Sequence, residues 1–353
     1  MTAGEDPPSP GGRAATLREL GERGLIERVR RRLAPPGGEV LVGIGDDAAA
    51  VAWPGDTLLL TTDTLLEDVH FRRATATFRE IGAKALAVNL SDIAAMGGEP
   101  RFALLALALP PTLSVSQVDE FFAGFGEMAT QHGVTLIGGD TCAAPDRIVL
   151  TITLVGGVEG DPVRRRGARP GDAILVTGTL GAAAAGLAAL ERGLVSVPTD
   201  LTAAVRRAHQ LPTPRVAEGR LIRASGIATA MIDLSDGLST DLGHIVAESG
   251  VSAEVRLAAL PISEATRQVA RALGADPWTW AVSGGEDYEL LFTAAPEHAT
   301  ALAVLVTAET GTPVSVIGEI QPSGAGVRFM DEAGRSLMVG PGFDHFTSCS
   351  WNG

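Results

Sequence analysis

Six short acidic segments, each setting an aspartate or glutamate beside Gly, Ser, Thr or Asn, constrain this chain more than any other feature. They read Gly43-Ile-Gly-Asp-Asp47, Thr61-Thr-Asp-Thr64, Asn89-Leu-Ser-Asp92, Gly138-Gly-Asp-Thr141, Asp233-Leu-Ser-Asp-Gly237 and Gly284-Gly-Glu-Asp287. Four of them follow apolar, strand-like runs: Val40 to Val42, Leu58 to Leu60, Val134 to Ile137 and Ile227 to Ile232. A fold built on this pattern delivers carboxylates to strand ends, where small neighbours let a ligand approach the backbone. Carboxylates gathered in one place repel one another unless cations sit among them, and hard oxygen ligands suit Mg²⁺. A single Gly-Asp pair means little, because turns and helix caps use the same residues. Six in one chain point to metal ions and to an anion that the metals hold.

Strand-like and helix-like periodicity alternate throughout, which predicts an α/β or α+β fold. The length, 353 residues, suffices for two domains with separate cores. Helices are expected over 22–33, from a Thr77/Glu80 capping box to about Met96, and from Ser116 with Asp119 to Gly133. More follow at 182–191, 201–209, 216–224 and 238–248, the last capped by Asp236. Strands are expected near 39–42, 57–62, 102–109, 148–155, 173–176, 227–232, 288–293 and 314–317. Turn formers and charge concentrate in 160–172, so the chain divides into a tail (1–15), an N-terminal domain (16–160) and a C-terminal α/β domain (161–353).

A net charge of −14 argues against nucleic-acid or anionic-membrane partners. The longest apolar stretch, Phe102 to Leu109, is far short of a membrane span. The Pro- and Gly-rich start, without an apolar core, reads as a tail rather than a signal peptide. Two cysteines far apart, Cys142 and Cys349, fit a reducing cytoplasm. No P-loop, no protein-kinase catalytic loop and no Gly-x-Ser-x-Gly elbow occurs. The six histidines (70, 132, 209, 244, 298 and 345) show no zinc spacing. Arg164-Arg165-Arg166 offers bidentate contacts to phosphate, or else a solvated loop. Lys84 is the only lysine among 28 Lys and Arg residues, so either chance or a need for an ammonium placed it there. Residue chemistry alone therefore indicates a Mg²⁺-dependent enzyme acting on phosphates.

In order along the chain, several longer blocks carry a resemblance. They include Gly43-Ile-Gly-Asp-Asp-Ala48, Thr61-Thr-Asp-Thr64 with Val69-His-Phe71, and Lys84-Ala-Leu-Ala-Val-Asn-Leu-Ser-Asp-Ile-Ala-Ala-Met-Gly97. Next come Gly138-Gly-Asp-Thr141, Arg169-Pro-Gly-Asp172, Val176-Thr-Gly-Thr179, Pro212-x-Pro-Arg215 and Asp233-Leu-Ser-Asp-Gly-Leu238 with Asp241-Leu-Gly-His244. Ser283-Gly-Gly-Glu-Asp-Tyr-Glu-Leu290 and Gly342-Phe-Asp-His-Phe346 complete them. Together they resemble the thiamine-monophosphate kinase family, over about residues 20 to 346. The Lys84–Gly97 block and the Ser283–Leu290 block are the specific ones. The pattern departs from the family at Cys142, where Thr or Ser is usual, and at Asp68, where Gly is common.

The resemblance implies the two-domain architecture of aminoimidazole ribonucleotide synthetase, with N-terminal sheets pairing across a homodimer and active sites near that interface. It implies ATP-dependent conversion of thiamine monophosphate to thiamine diphosphate. By motif position, Asp47, Thr61, Thr62, Asp63, Asp92, Asp140, Asp233 and Asp236 would bind Mg²⁺. Gly139, Asp140, Arg165 and Ser235 would hold nucleotide phosphates, and His70, Glu286 and Phe343 would contact thiamine monophosphate. Asp46 has a turn or hydrogen-bonding role as its alternative. No general base is expected, since the nucleophile is a phosphate oxygen already mostly ionised at neutral pH. Two alternatives remain at this point: another ATP-dependent enzyme of the superfamily, such as aminoimidazole ribonucleotide or selenophosphate synthetase, and a non-catalytic Mg²⁺-nucleotide binding protein.

Overall fold

The computed structural model describes residues 40–42, 46–53, 56–192, 197–324, 326–337, 339–340 and 342–345. The helix expected over 22–33, and Gly43 to Gly45 of the first acidic segment, lie outside the described residues. Two mixed sheets organise the rest. The first holds β1 (Val40–Val42), β2 (Ala49–Trp53), β3 (Asp56–Leu66), β4 (Glu99–Leu109), β5 (Thr135–Ala143) and β6 (Val149–Val158), in the spatial order β1-β2-β3-β6-β4-β5. Only β4 and β5 run parallel within it. The second sheet holds β7 (Ala173–Thr177), β8 (Ala228–Asp233), β9 (Ser252–Arg256), β10 (Leu290–Ala294), β11 (Val314–Gln321), β12 (Val327–Met330) and β13 (Ser336–Leu337). Its order is β13-β12-β9-β11-β7-β10-β8.

The helix Phe78–Ala95 is the shared spine. Fourteen of its residues are buried, Lys84, Asn89 and Ser91 among them, and it lacks a polar face. A helix enclosed on all sides needs partners on all sides. It finds them in the first sheet, in helix Val115–Gln131, and in β8 and helix Val216–Ala224 of the second half. Its crossing with Val115–Gln131 is close: a Cβ on Gly82 would stand 2.0 Å from the Phe121 carbonyl oxygen, and one on Gly124 would stand 1.8 Å from that of Arg79. One apolar core therefore runs from Leu59, Leu105 and Ile152 through this helix to Met231 and Phe292.

The helices lie on one face of the first sheet. Along β4, Ala103, Leu105 and Leu107 are buried, whereas Phe102 and Leu104 are 44% and 41% exposed. This is the alternation of a strand with one covered and one open face.

Most expected elements are present with shifted ends, and the helix 216–224 is as expected. Two caps differ. The helix expected from Ser116 is capped by Ser114, whose hydroxyl accepts from the Gln117 N–H while Gln117 Oε1 reaches back to the Ser114 N–H. Gln has the reach for that reciprocal bond, and the shorter Asp119 side chain lacks it. Asp236 does not cap helix Leu238–Ser249; Gly237 takes that place with φ 112°. The Asp241 carboxylate collects the N–H groups of Asp236 and Gly237 at 3.2 and 3.0 Å. The strand Ser252–Arg256 and helices Glu264–Leu273, Pro277–Ser283 and Pro296–Thr310 were not among the expectations.

Candidate active site

Three carboxylates from three separate elements converge: Asp47 before β2, Asp92 on the central helix and Asp233 at the end of β8. One ligand oxygen of each lies within 4.8 Å of the others. Ser91 donates to Asp233 Oδ2 at 2.7 Å, and the Thr61 hydroxyl donates to Asp92 Oδ2 at 2.5 Å. Asp63 stands beside them on the same face of β3, its N–H bonded to Asn89 Oδ1 at 3.1 Å. Burial, with Asp63, Asp233 and Asp47 nearby, pushes the Asp92 carboxyl well above its usual range. Burial and then Asp47 do the same to Asp233. Burial lifts Asp63 to about 6. An all-oxygen set of mutually repelling acids, each already oriented by hydroxyl or amide groups, fits a hard divalent cation such as Mg²⁺.

Arg165 closes one side of this group. Its Nε and one terminal nitrogen bind the Asp47 carboxylate at 3.1 and 2.9 Å, and its N–H reaches Asp46 Oδ2 at 3.2 Å. Burial works against the guanidinium, but Asp47 and Asp46 together hold its proton more firmly than usual. Burial and the Asp47 charge lift Asp46 to about 7. A second group lies at the start of helix Leu238–Ser249, where ligand atoms of Asp236, Asp241 and His244 also lie within 4.8 Å of one another. The helix N-terminus beside Ser235 suits an anion.

The residues expected to touch thiamine monophosphate also meet. The His70 and His345 rings are 5.0 Å apart, and Phe343 packs edge-on against His345 at 4.9 Å. His70 Nδ1 accepts the Leu66 N–H at 3.0 Å, so its proton sits on Nε2. Burial, then His345, lowers its pKa to about 4, and the ring is neutral at physiological pH. The turn that presents it puts Asp68 at φ 68°, a left-handed conformation that Gly enters freely and Asp tolerates. Glu286 holds φ 67° and is bound on both oxygens, by Lys84 at 2.7 Å and His209 at 2.9 Å.

Two expected metal ligands, Thr62 and Asp140, are brought to neither acidic group. Thr61 is buried but Thr62 is exposed, as strand neighbours on opposite faces must be, and the Thr62 hydroxyl donates to the Ile152 carbonyl. Asp140 lies opposite Ala106 on the edge strand β5. The register runs from Asp63 through Ile152 and Leu105 to Gly139, so Asp140 is three strand spacings away, about 14 Å, and on the open face. At Gly139 a Cβ would meet the Leu105 carbonyl oxygen at 1.8 Å, so that position admits only glycine.

Lys84, Asn89, Ser91, His209, Asp241 and His345 belong to the site as supports, and none had been given a role. Lys84 was signalled by being the only lysine, and Asn89 and Ser91 by lying in an acidic segment. Asp241 and His345 were signalled only by lying in blocks that carry the resemblance, and for His209 the sequence carries no comparable signal.

Residues 45–158 match the family described as AIR synthase related protein, N-terminal domain, and residues 169–331 match its C-terminal domain. The thiamine-monophosphate kinase of Salmonella typhimurium is 40% identical over 331 residues, 93% of this chain and 99% of that one. The Bacillus subtilis enzyme of the same name is 38% identical over 86% of this chain and 93% of its own. Among solved structures, AaThiL complexed with AMPPCP and TMP superimposes with a TM-score of 0.82 at 34% identity, covering 94% of this chain and 99% of that one. The Stenotrophomonas maltophilia thiamine-monophosphate kinase gives 0.73 at 41% identity, over 89% and 96%. The Escherichia coli hydrogenase maturation protein HypE, 22% identical with a TM-score of 0.67, shares the fold. With relatives of that name matched across nearly the whole length of both chains, and with both domains accounted for, the chain belongs to the thiamine-monophosphate kinase family.

Proposed function

We propose that this protein transfers a phosphoryl group from ATP to thiamine monophosphate, giving thiamine diphosphate and ADP. The observation that carries the reading is the division of labour along one helix. Ser91 at its far end fixes Asp233 of the metal-type group, and Lys84 fixes Glu286 of the second pocket. The two are seven residues apart, so they share a face about 10 Å apart along the axis. The carboxylates for a metal-bound nucleotide and the His70–Glu286 group for an acceptor thus lie side by side. The relative bound to AMPPCP and TMP supports the same pair of substrates.

In this reading Asp47, Thr61, Asp63, Asp92, Asp233 and Asp236 hold Mg²⁺, which when bound neutralises the phosphate charge and aligns the groups in line. Ser235 and the backbone at Gly139 and Asp140, the latter pair lent by a second copy, hold nucleotide phosphates, and Arg165 exchanges its grip on Asp47 for a phosphate oxygen. His70, Phe343 and Glu286 hold thiamine monophosphate. The nucleophile is its phosphate oxygen, so the chain has to position and exclude water rather than remove a proton. His70 agrees with that, since burial lowers its pKa to about 4 and leaves it a weak base at neutral pH.

The open face of the first sheet, with Phe102, Leu104 and Ile137 exposed, is where a second copy would pair to make a homodimer. Thr62 and Asp140 share that face, so each would serve a site completed by the partner. A domain division at 160/161 and a cytoplasmic location complete the reading; among the described residues no helix is long and apolar enough to cross a membrane. The test is ADP release with purified protein. ADP formed only when thiamine monophosphate and Mg²⁺ are both present supports the reading. Turnover with a different phosphate acceptor and none with this one refutes it.

A further inference from the structure

We propose that Lys84 is a positioning residue which locks the acceptor pocket by holding Glu286 and His70 together across the domain boundary. The proposal rests on the thiamine-monophosphate reading of that pocket. Lys84 is 3% exposed, in the middle of the spine helix. Its ammonium lies 2.7 Å from Glu286 Oε1 and 3.1 Å from the His70 carbonyl oxygen. His209, on helix Thr199–Gln210, places Nδ1 2.9 Å from Glu286 Oε2. The Glu286 N–H is itself bonded to the Ser235 carbonyl at 2.7 Å. Both oxygens and the backbone of Glu286 are therefore fixed by three different elements, and one of these belongs to the other domain.

The chemistry suits a lysine at this position, the only one in the chain. An ammonium is a compact charge with three donors, which suits a carboxylate and a carbonyl approached from one point. A guanidinium presents a wide planar fork and needs more room than a buried helix interior leaves. Without Lys84, Glu286 would lose the ammonium that offsets its desolvation and half of its support with it. The turn would then release the carboxylate, and with it the fixed geometry that an acceptor meets on arrival.

The experiment is a double-mutant cycle in steady-state kinetics on the full chain, with Lys84→Met, Glu286→Gln and the pair. Lys84→Met is expected to raise the KM for thiamine monophosphate by about tenfold or more, with kcat and the KM for ATP within about threefold of wild type. Glu286→Gln should raise the same KM, and the penalty in the double variant should fall well short of the product of the two single penalties. Lys84→Gln, which keeps a donor for the His70 carbonyl, serves if the Met variant fails to fold and should show the same KM pattern. An unchanged KM for thiamine monophosphate in Lys84→Met or Lys84→Gln, or penalties that multiply in the double variant, overturns the proposal. A wild-type KM in Glu286→Gln removes Glu286 as an acceptor contact and so overturns the proposal, while the phosphoryl-transfer reading stands. Absence of any activity toward thiamine monophosphate in the wild type overturns the underlying function and the acceptor-pocket role of Lys84 with it, an outcome distinct from an active wild type whose KM the Lys84 variants leave unchanged.

Discussion

Ser91 Oγ donates to Asp233 Oδ2 at 2.7 Å, joining the spine helix of the first half to the last residue of β8 in the second. The bond lies within a buried acidic group, so it orients a carboxylate that its neighbours would otherwise repel. Such supports around a metal ligand are worth about 10- to 100-fold in metal affinity. Ser91→Ala should therefore shift the Mg²⁺ concentration for half-maximal activity upward by that factor, with little change in thermal stability. A Mg²⁺ titration that overlays the wild type would show that Asp233 needs no such support.

Asp92 is the acid most surrounded by other acids, and its carboxyl is pushed up by burial and then by Asp63, Asp233 and Asp47. Asn in its place keeps an acceptor for the Thr61 hydroxyl and removes a repelling charge. The expected outcome is a loss of about two to three orders of magnitude in kcat. In EDTA the variant should melt no lower than wild type, and Mg²⁺ should raise the melting temperature of the wild type alone. A variant that melts well below wild type in EDTA contradicts this account of Asp92.

The site was legible in sequence where residue type alone carries the chemistry. Aspartates beside small residues, after strand-like runs or on a helix, marked Asp47, Asp92 and Asp233, and the fold gathers them. The side each residue faces was not legible, because it depends on strand register. Thr61 and Thr62 read alike in sequence, yet the pleat sends one to the acids and the other to the open face. The helix start at Gly237 was likewise hidden, since a positive φ there displaces Asp236 from the cap. Lys84 stood out as the only lysine, but its role, like that of His209, was hidden for a third reason: their partner, Glu286, lies in a distant segment, and no local pattern encodes such a pairing.

Glu286 should leave a trace in acid stability. Burial would raise its carboxyl, but the Lys84 ammonium and the His209 hydrogen bond overcome this and hold it near 2, against 4.5 for a free group. A depressed folded pKa stabilises the fold above the unfolded pKa, and that stability is lost as pH falls through 4.5 toward 2. The shift corresponds to on the order of 3 kcal/mol. Glu286→Gln should therefore lose less stability than wild type between pH 5 and pH 3, measured by chemical denaturation. Parallel curves would mean that the ion pair makes no net contribution.

The glycine crossing of the two long N-terminal helices gives a contrast within one region. Gly82→Ala would put a methyl 2.0 Å from the backbone oxygen of Phe121, which cannot rotate away. Separating the helices should cost about 2 to 3 kcal/mol or more. Gly126→Ala on helix Val115–Gln131 meets nothing within 4 Å and should gain about 0.5 to 1 kcal/mol from the reduced freedom of the unfolded chain. Denaturation midpoints moving in opposite directions would confirm the contrast, and equal midpoints would refute it.

Asp140 offers a test of where the site is completed. It stands on the open face of edge strand β5, about 14 Å across the sheet from Asp63, so one chain does not bring it to the carboxylate group. If a second copy pairs on that face and lends its Asp140, chains inactivated at different positions should repair one another. Asp140→Asn and Asp92→Asn proteins, each nearly inactive, would be mixed, partly unfolded in mild denaturant and refolded together. Random pairing makes about half of the dimers mixed. Each mixed dimer would contain one site with both aspartates intact and one with neither. Activity should then recover to about a quarter of the wild-type value per chain, set by that count of intact sites. Leu104→Glu, placed on the same open face, should give monomers in size-exclusion chromatography and abolish the recovery. Recovery that fails in the mixture while dimers persist would place Asp140 in the service of its own chain, or outside the reaction altogether.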